Sequence, residues 1–179
     1  MQKFLAIALF VGSIGLFGWT MHAYSTSGEE VLSVPVTGRS GTLAPIALNP
    51  GMSPVRVFLA VKMEMQVRDA ISNAHKYEVN VTDRLGDKLL SFTRTHSEKK
   101  EDQGPDFRRE SQNHIIGTFD VPIQGPYVID WHVNPKRADI KGITVSLRRN
   151  VEGMNIPLML LAGFCFVLGW VVIFVGRRQ

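Results

Sequence analysis

A single cysteine, Cys165, stands in a chain of 179 residues, and it falls inside a long apolar run near the C-terminal end. The rest of the chain therefore cannot hold an internal disulfide, even in an oxidising compartment. It must stand on a hydrophobic core alone, which a domain of this size can do. The sequence also lacks a Gly-rich phosphate loop, an internal repeat and an amphipathic helical pattern. No nucleophile lies at a sharp turn beside an acid–base pair, so no catalytic constellation is readable and no enzyme is expected. Asp130 and His132 share one strand face, but alternate outward residues of an antiparallel strand are ordinarily polar.

Concentrated positive charge is missing too. The formal net charge is +4, and Lys3, Arg177 and Arg178 supply three of those units at the chain ends, leaving about +1 for the remainder. Nucleic-acid binding needs a basic face, so it is not expected.

Charge is absent altogether from two stretches, Phe4 to Tyr24 and Ile156 to Gly176, which hold no Asp, Glu, Lys or Arg. About 20 apolar residues at 1.5 Å rise cross the ~30 Å hydrocarbon core of a bilayer, and a helix satisfies its own backbone there. The chain divides into a tail at 1–3, a transmembrane helix at 4–24, a domain at 25–153, a second transmembrane helix at 154–176 and a tail at 177–179. A cleaved signal peptide is the rival reading of the first segment. Against it, the apolar run exceeds the usual 7–15 residues, and Met21-His22-Ala23 lacks the small residue expected before a cleavage site. Lys3, Arg177 and Arg178 place both tails in the cytoplasm. Arg148 and Arg149 belong to a domain, and domains cross largely regardless of charge. The expected location is a bacterial inner (cytoplasmic) membrane, with the domain periplasmic; an endomembrane with a lumenal domain is the alternative.

Apart from His22 at an interface, neither span holds an ionisable group, which disfavours a transporter or channel acting alone. Small residues recur at helical spacing: Ala8, Gly12 and Gly15 in the first span, Ala162, Cys165, Gly169 and Gly176 in the second. Such faces let backbones approach closely in lipid, so they are expected to pack on each other or on a partner span, which leaves a homo-oligomer open.

Between the spans the pattern has a period of two. In Val55 to Arg68, the residues Val55, Val57, Leu59, Val61, Met63, Met65 and Val67 face one way, and Arg56, Lys62, Glu64, Gln66 and Arg68 the other. Further strands are predicted over Lys76–Asp83, Leu89–Arg94, His114–Val121, Pro126–Val133 and Lys141–Arg148. Weaker, proline-interrupted ones at Val31–Val36 and Thr42–Leu48 suit an edge. Short strands with turns between them point to an antiparallel β-sandwich. Arg94 to Gln112, dense in both signs of charge, reads as a long solvated loop, or as a docking loop. Gly38 to Pro54 reads as irregular.

Copper would favour thioether and imidazole, so Met52, Met63, Met65, His75, His96, His114 and His132 invite a test. Met63 and Met65 continue a core face, and the histidines have no close ligand spacing, so no metal or other cofactor is expected. Asn80-Val81-Thr82 fits a glycosylation acceptor but lies mid-strand.

"YEVNVTDRLGDKLL", then "GTFDVPIQGPYVIDWHVN", then "KGITVSLRRNV" before the terminal span, resembles the GOLD domain of the p24 (emp24-type) membrane cargo receptors. The matching positions are Asp83, Gly86, Phe119, Gly125, Tyr127 and Asn134, across about half of the chain. The family's cysteine pair, coiled coil and cytoplasmic sorting signals have no counterpart here. The resemblance implies a GOLD-like or jelly-roll-like sandwich and, by analogy, a role in binding proteins. The combined expectation is an all-β sandwich flanked by two transmembrane helices, serving as a binding, assembly or accessory subunit for another membrane or envelope protein. An envelope module for a lipid, glycan or metal is the alternative.

Overall fold

The computed structural model describes residues 2–66, 74–97, 107–136 and 139–176. It divides into two units, residues 28–151 and the two terminal segments together. In the first unit, β1 (Glu29–Val36), β2 (Ser40–Thr42) and β3 (Ile46–Leu48) precede a 3-10 turn at Pro50–Met52. The long strands follow: β4 (Val55–Gln66), β5 (His75–Thr82), β6 (Lys88–His96), β7 (Phe107–Phe119), β8 (Gly125–Pro135) and β9 (Asp139–Arg149).

One antiparallel sheet has the order β1-β9-β4-β7, and the other β2-β8-β5-β6 with β3 also on β8. The core lies between them because alternate side chains of the central strands point inward. Val57, Leu59 and Val61 of β4 and Val145 and Leu147 of β9 meet Val79 and Val81 of β5 and Ile129 and Val133 of β8, all fully buried. The predicted alternation thus becomes two inner faces of one sandwich.

Three expectations are corrected. The charged stretch 94–112 is not one loop. β6 runs on to His96 and β7 begins at Phe107, and Glu64 on β4 pairs in register with Arg109. Edge strands need only one apolar face, which hides them in a polar sequence. Residues 98–106 fall outside the described part, as do Val67 and Arg68 of the first predicted strand. Arg56, expected to face water, is 1% exposed, and its Nε donates to Thr118 Oγ1 at 3.2 Å. The predicted strand at Thr42–Leu48 divides into β2 and β3, so Gly38–Pro54 is less irregular than its glycines and prolines imply.

The turn chemistry follows the sequence. Asp83 Oδ1 accepts from the backbone N–H of Leu85 and Asp87 at 2.8 and 2.9 Å, as an Asx turn does. Tyr127, buried in the core, donates its hydroxyl to the Ile123 carbonyl at 2.7 Å and lies 6.4 Å from the Phe119 ring. Strands β1 and β9 pair antiparallel from Glu29↔Arg149 to Val36↔Ile143, so the chain enters and leaves the sandwich side by side.

The second unit holds α1 (Gln2–Thr26) and α2 (Ile156–Gly176). Both are long and apolar enough to cross a membrane. The helices pack together: Ser13 Oγ donates to the Ala162 carbonyl at 2.8 Å, and Phe10 meets Phe166 and Trp170 edge-on at 5.3 and 5.8 Å.

Candidate functional site

Three of the five histidines in the chain converge where the edges of the two sheets meet. His75 opens β5 on the same inward parity as Tyr77, Val79 and Val81, and is fully buried. His96 ends β6 directly opposite it, because the β5–β6 register pairs His75 with His96. His114 comes from β7 in the other sheet, opposite Leu59, and is 8% exposed. The ring centroids lie 4.9 Å (His75–His114), 5.3 Å (His75–His96) and 5.4 Å (His96–His114) apart.

Nε2 of His75 and Nε2 of His114 are 2.8 Å apart, so one ring donates and the other accepts, with the tautomer setting which. His96 Nε2 is buried without a partner among the described residues, a state it shares with Trp131 Nε1. Tyr77 stacks on His114 at 4.3 Å, and Phe92 stacks on Tyr77 at 6.1 Å. Burial pushes the Tyr77 hydroxyl up, against the pull of Arg94.

Burial, then the neighbouring His75, His96 and Arg94, hold His114 down to about 4 from its ordinary value of 6.5. The depressed value means that the unfolded chain binds the proton more readily. This contribution to stability is therefore complete above about pH 6.5 and lost as the pH falls through about 4. The urea midpoint of the sandwich is expected to fall across that window. A His114→Gln chain is expected to show a flatter profile, and an identical slope would contradict the assignment.

The small residues singled out in the spans fall on different sides of the helix pair. Ala162 and Gly169 are buried and Cys165 is half-buried, whereas Ala8, Gly12 and Gly15 are exposed. Gly176 ends α2. The inward face of α1 carries Ala6, Ser13 and Thr20 instead, at heptad spacing. Ser and Thr are nearly as small as Ala and were the missed signal, since their side chains bond backbone carbonyls: Ser13 to Ala162 and Thr20 to Leu16 at 2.8 Å each. A Cβ at Gly169 would lie 3.0 Å from the Phe10 ring. Gly169→Leu is therefore expected to cut severalfold the oxidative cross-linking of a Ser13→Cys/Ala162→Cys pair in a Cys165→Ala background. Unchanged cross-linking would contradict the packing.

Asp130 and His132 lie on the outer face of β8, where Asp130 accepts from Thr42 Oγ1 at 2.5 Å and His132 is exposed. Asn80 is engaged with Glu78 and Ser91 at 3.2 and 2.7 Å. Met63 is buried in the core. An open depression of about 500 Å³ lies beside Lys62, Glu64, Arg109 and Lys141, with the Arg109–Glu64 ion pair at 3.2 Å.

No family model and no curated protein matches the chain. Among solved structures it is similar to the K1 cleaved adhesin domain of Lys-gingipain from Porphyromonas gingivalis, at 20% identity and a TM-score of 0.32, covering 73% of this chain and 72% of that one. It is similar to the C-terminal CBM6 of LamC from Zobellia galactanivorans, at 11% identity and a TM-score of 0.28, covering 69% and 95%. A third similarity, to the infectious bursal disease virus Gt strain structure, has 9% identity and a TM-score of 0.32. It covers 75% of this chain and spans only 33% of the viral one.

Proposed function

We propose that the chain crosses a membrane twice and displays its sandwich on the non-cytoplasmic side, as a non-enzymatic binding, assembly or accessory subunit for another membrane or envelope protein. The distribution of apolar surface carries this reading. Among the described residues, every large exposed hydrophobic side chain except Leu85 belongs to α1 or α2. Water penalises such surface by about 25 cal/mol per Å², and soluble monomers rarely expose so continuous an apolar area. Lipid removes that penalty.

The pairing of β1 with β9 supports a shared side for both tails, since the two ends of the sandwich leave it together. Glu152 N donates to Ser27 Oγ at 3.1 Å, which ties the two connections to each other. With Lys3, Arg177 and Arg178 at the outer ends of the helices, the positive-inside tendency favours cytoplasmic tails. An inner bacterial membrane fits, with the sandwich in the periplasm.

The assembly half of the reading is supported by a core of fully buried side chains and by strand edges at β1, β6 and β7, which offer backbone groups to a partner strand. The GOLD-like pattern supports it by analogy alone. The residues carrying that pattern have local work: Asp83 holds a turn and Tyr127 ties a core corner. Among the described residues, no aromatic side chain lines the depression beside Lys62, which weighs against a glycan or lipid pocket there. Purification of the full chain in mild detergent, followed by mass spectrometry, tests the reading. A second membrane protein at near-equal amount is expected; a chain that purifies alone, even after cross-linking in cells, would contradict it.

A further inference from the structure

We propose that His75, His96 and His114 bind one divalent first-row transition ion, of the Zn²⁺ or Cu²⁺ class, through their Nε2 atoms. The inference goes beyond the proposed assembly role and does not depend on it. Imidazole is a preferred ligand for these ions, and structural and catalytic zinc sites alike use three or more side chains. Here the three come from β5, β6 and β7, so an ion would join the two sheets at the edge where they meet.

Geometry brings the rings close to that arrangement. Three imidazoles on one tetrahedral ion, at ~2.1 Å from each nitrogen, place their ring centroids about 5.2 Å apart. The observed separations are 4.9, 5.3 and 5.4 Å. As placed, no three ligating side chains among the described residues already enclose a common coordination point. His75 and His114 close on each other instead, with their Nε2 atoms at 2.8 Å. An ion needs those nitrogens about 3.4 Å apart, a small opening of two side chains. The donor ring of the pair would move its proton to Nδ1, freeing both Nε2 lone pairs with no change in charge.

The second observation is Nε2 of His96, buried beside this pair without a partner among the described residues. A buried ring nitrogen without a partner costs about 1–3 kcal/mol, and such atoms in native structures often mark a water or an ion. Apolar side chains would fill the same space at no such cost. Three imidazoles, one of them unsatisfied, are a poor choice for packing and a good one for coordination.

Zn²⁺ titration of the untagged full chain in detergent, followed by calorimetry, tests the site. One ion per chain is expected, with a Kd of about 1 µM or tighter. Co²⁺ in its place is expected to give the visible absorption of a low-symmetry nitrogen site. His96→Gln, at a strand end, is expected to weaken Zn²⁺ at least tenfold, and His132→Gln to leave it unchanged. A Zn²⁺-dependent rise in the unfolding temperature of the unmodified chain is expected as well, and it needs no variant. Absence of saturable binding to the unmodified chain overturns the proposal. So does undiminished binding in a folded His96→Gln, His114→Gln double variant.

Discussion

Gly28→Val is expected to be among the most damaging single changes in the sandwich, with a loss of about 3 kcal/mol or more. Gly28 has φ +85, in the left-handed region that a β-branched residue tolerates worst. Space is lacking as well. A Cβ built there would lie 2.5 Å from Val151 Cγ1 and 2.6 Å from the Arg149 carbonyl oxygen. The second contact is backbone of the last strand and cannot swing aside. Gly38, with φ +87, is the internal control, because a Cβ there meets only the Ser40 carbonyl at 3.6 Å. Gly38→Ala thus isolates the dihedral cost. Urea unfolding followed by circular dichroism should rank Gly28→Val well below Gly38→Ala. Equal midpoints would mean that the start and end of the sandwich are not held together as described.

Tyr127→Ala is expected to cost about 3–5 kcal/mol, the range for emptying a large aromatic site in a core. Tyr127 is fully buried on β8, opposite Ile46 of β3, and packs against Phe119. Its hydroxyl contributes a separate part, the 2.7 Å bond to the Ile123 carbonyl. Tyr127→Phe removes only that bond and is expected to cost about 1 kcal/mol, more if the carbonyl is left without a partner. A Phe variant as unstable as the Ala variant would show that the hydroxyl, not the ring, holds the corner before β8.

The central strands were legible because each has one buried face. Val55, Val57, Leu59, Val61 and Met63, and then Tyr77, Val79 and Val81, fall on alternate positions, and the structure buries every one of them. The start of β7 was not legible. Its polar run Arg109 to Asn113 sits on an edge, half in water, where pairing with β4 rather than side-chain burial makes the strand. Arg56 has the outward parity expected of it, but parity does not report what else covers a position.

The histidine cluster was invisible for a different reason. Its members come from three strands and two sheets, and no spacing along the chain encodes that meeting. The readable part was parity. His75 continues the face of Tyr77, and His114 that of Ile116, so the alternation alone turns both toward the core. An inward histidine is a stronger hint than a closely spaced pair. In α1, glycine drew attention to Gly12 and Gly15, while Ser13 and Thr20 made the packing face.

The most direct measurement tests the proposed topology, with the sandwich on the non-cytoplasmic side of a membrane. Leu85, 69% exposed at the turn between β5 and β6, accepts a reporter without touching the core. In a Cys165→Ala background, Leu85→Cys gives the chain one thiol, on the sandwich alone. A membrane-impermeant maleimide is expected to label it in intact spheroplasts as fully as after lysis. Labelling that appears only after lysis would put the sandwich in the cytoplasm and contradict the topology.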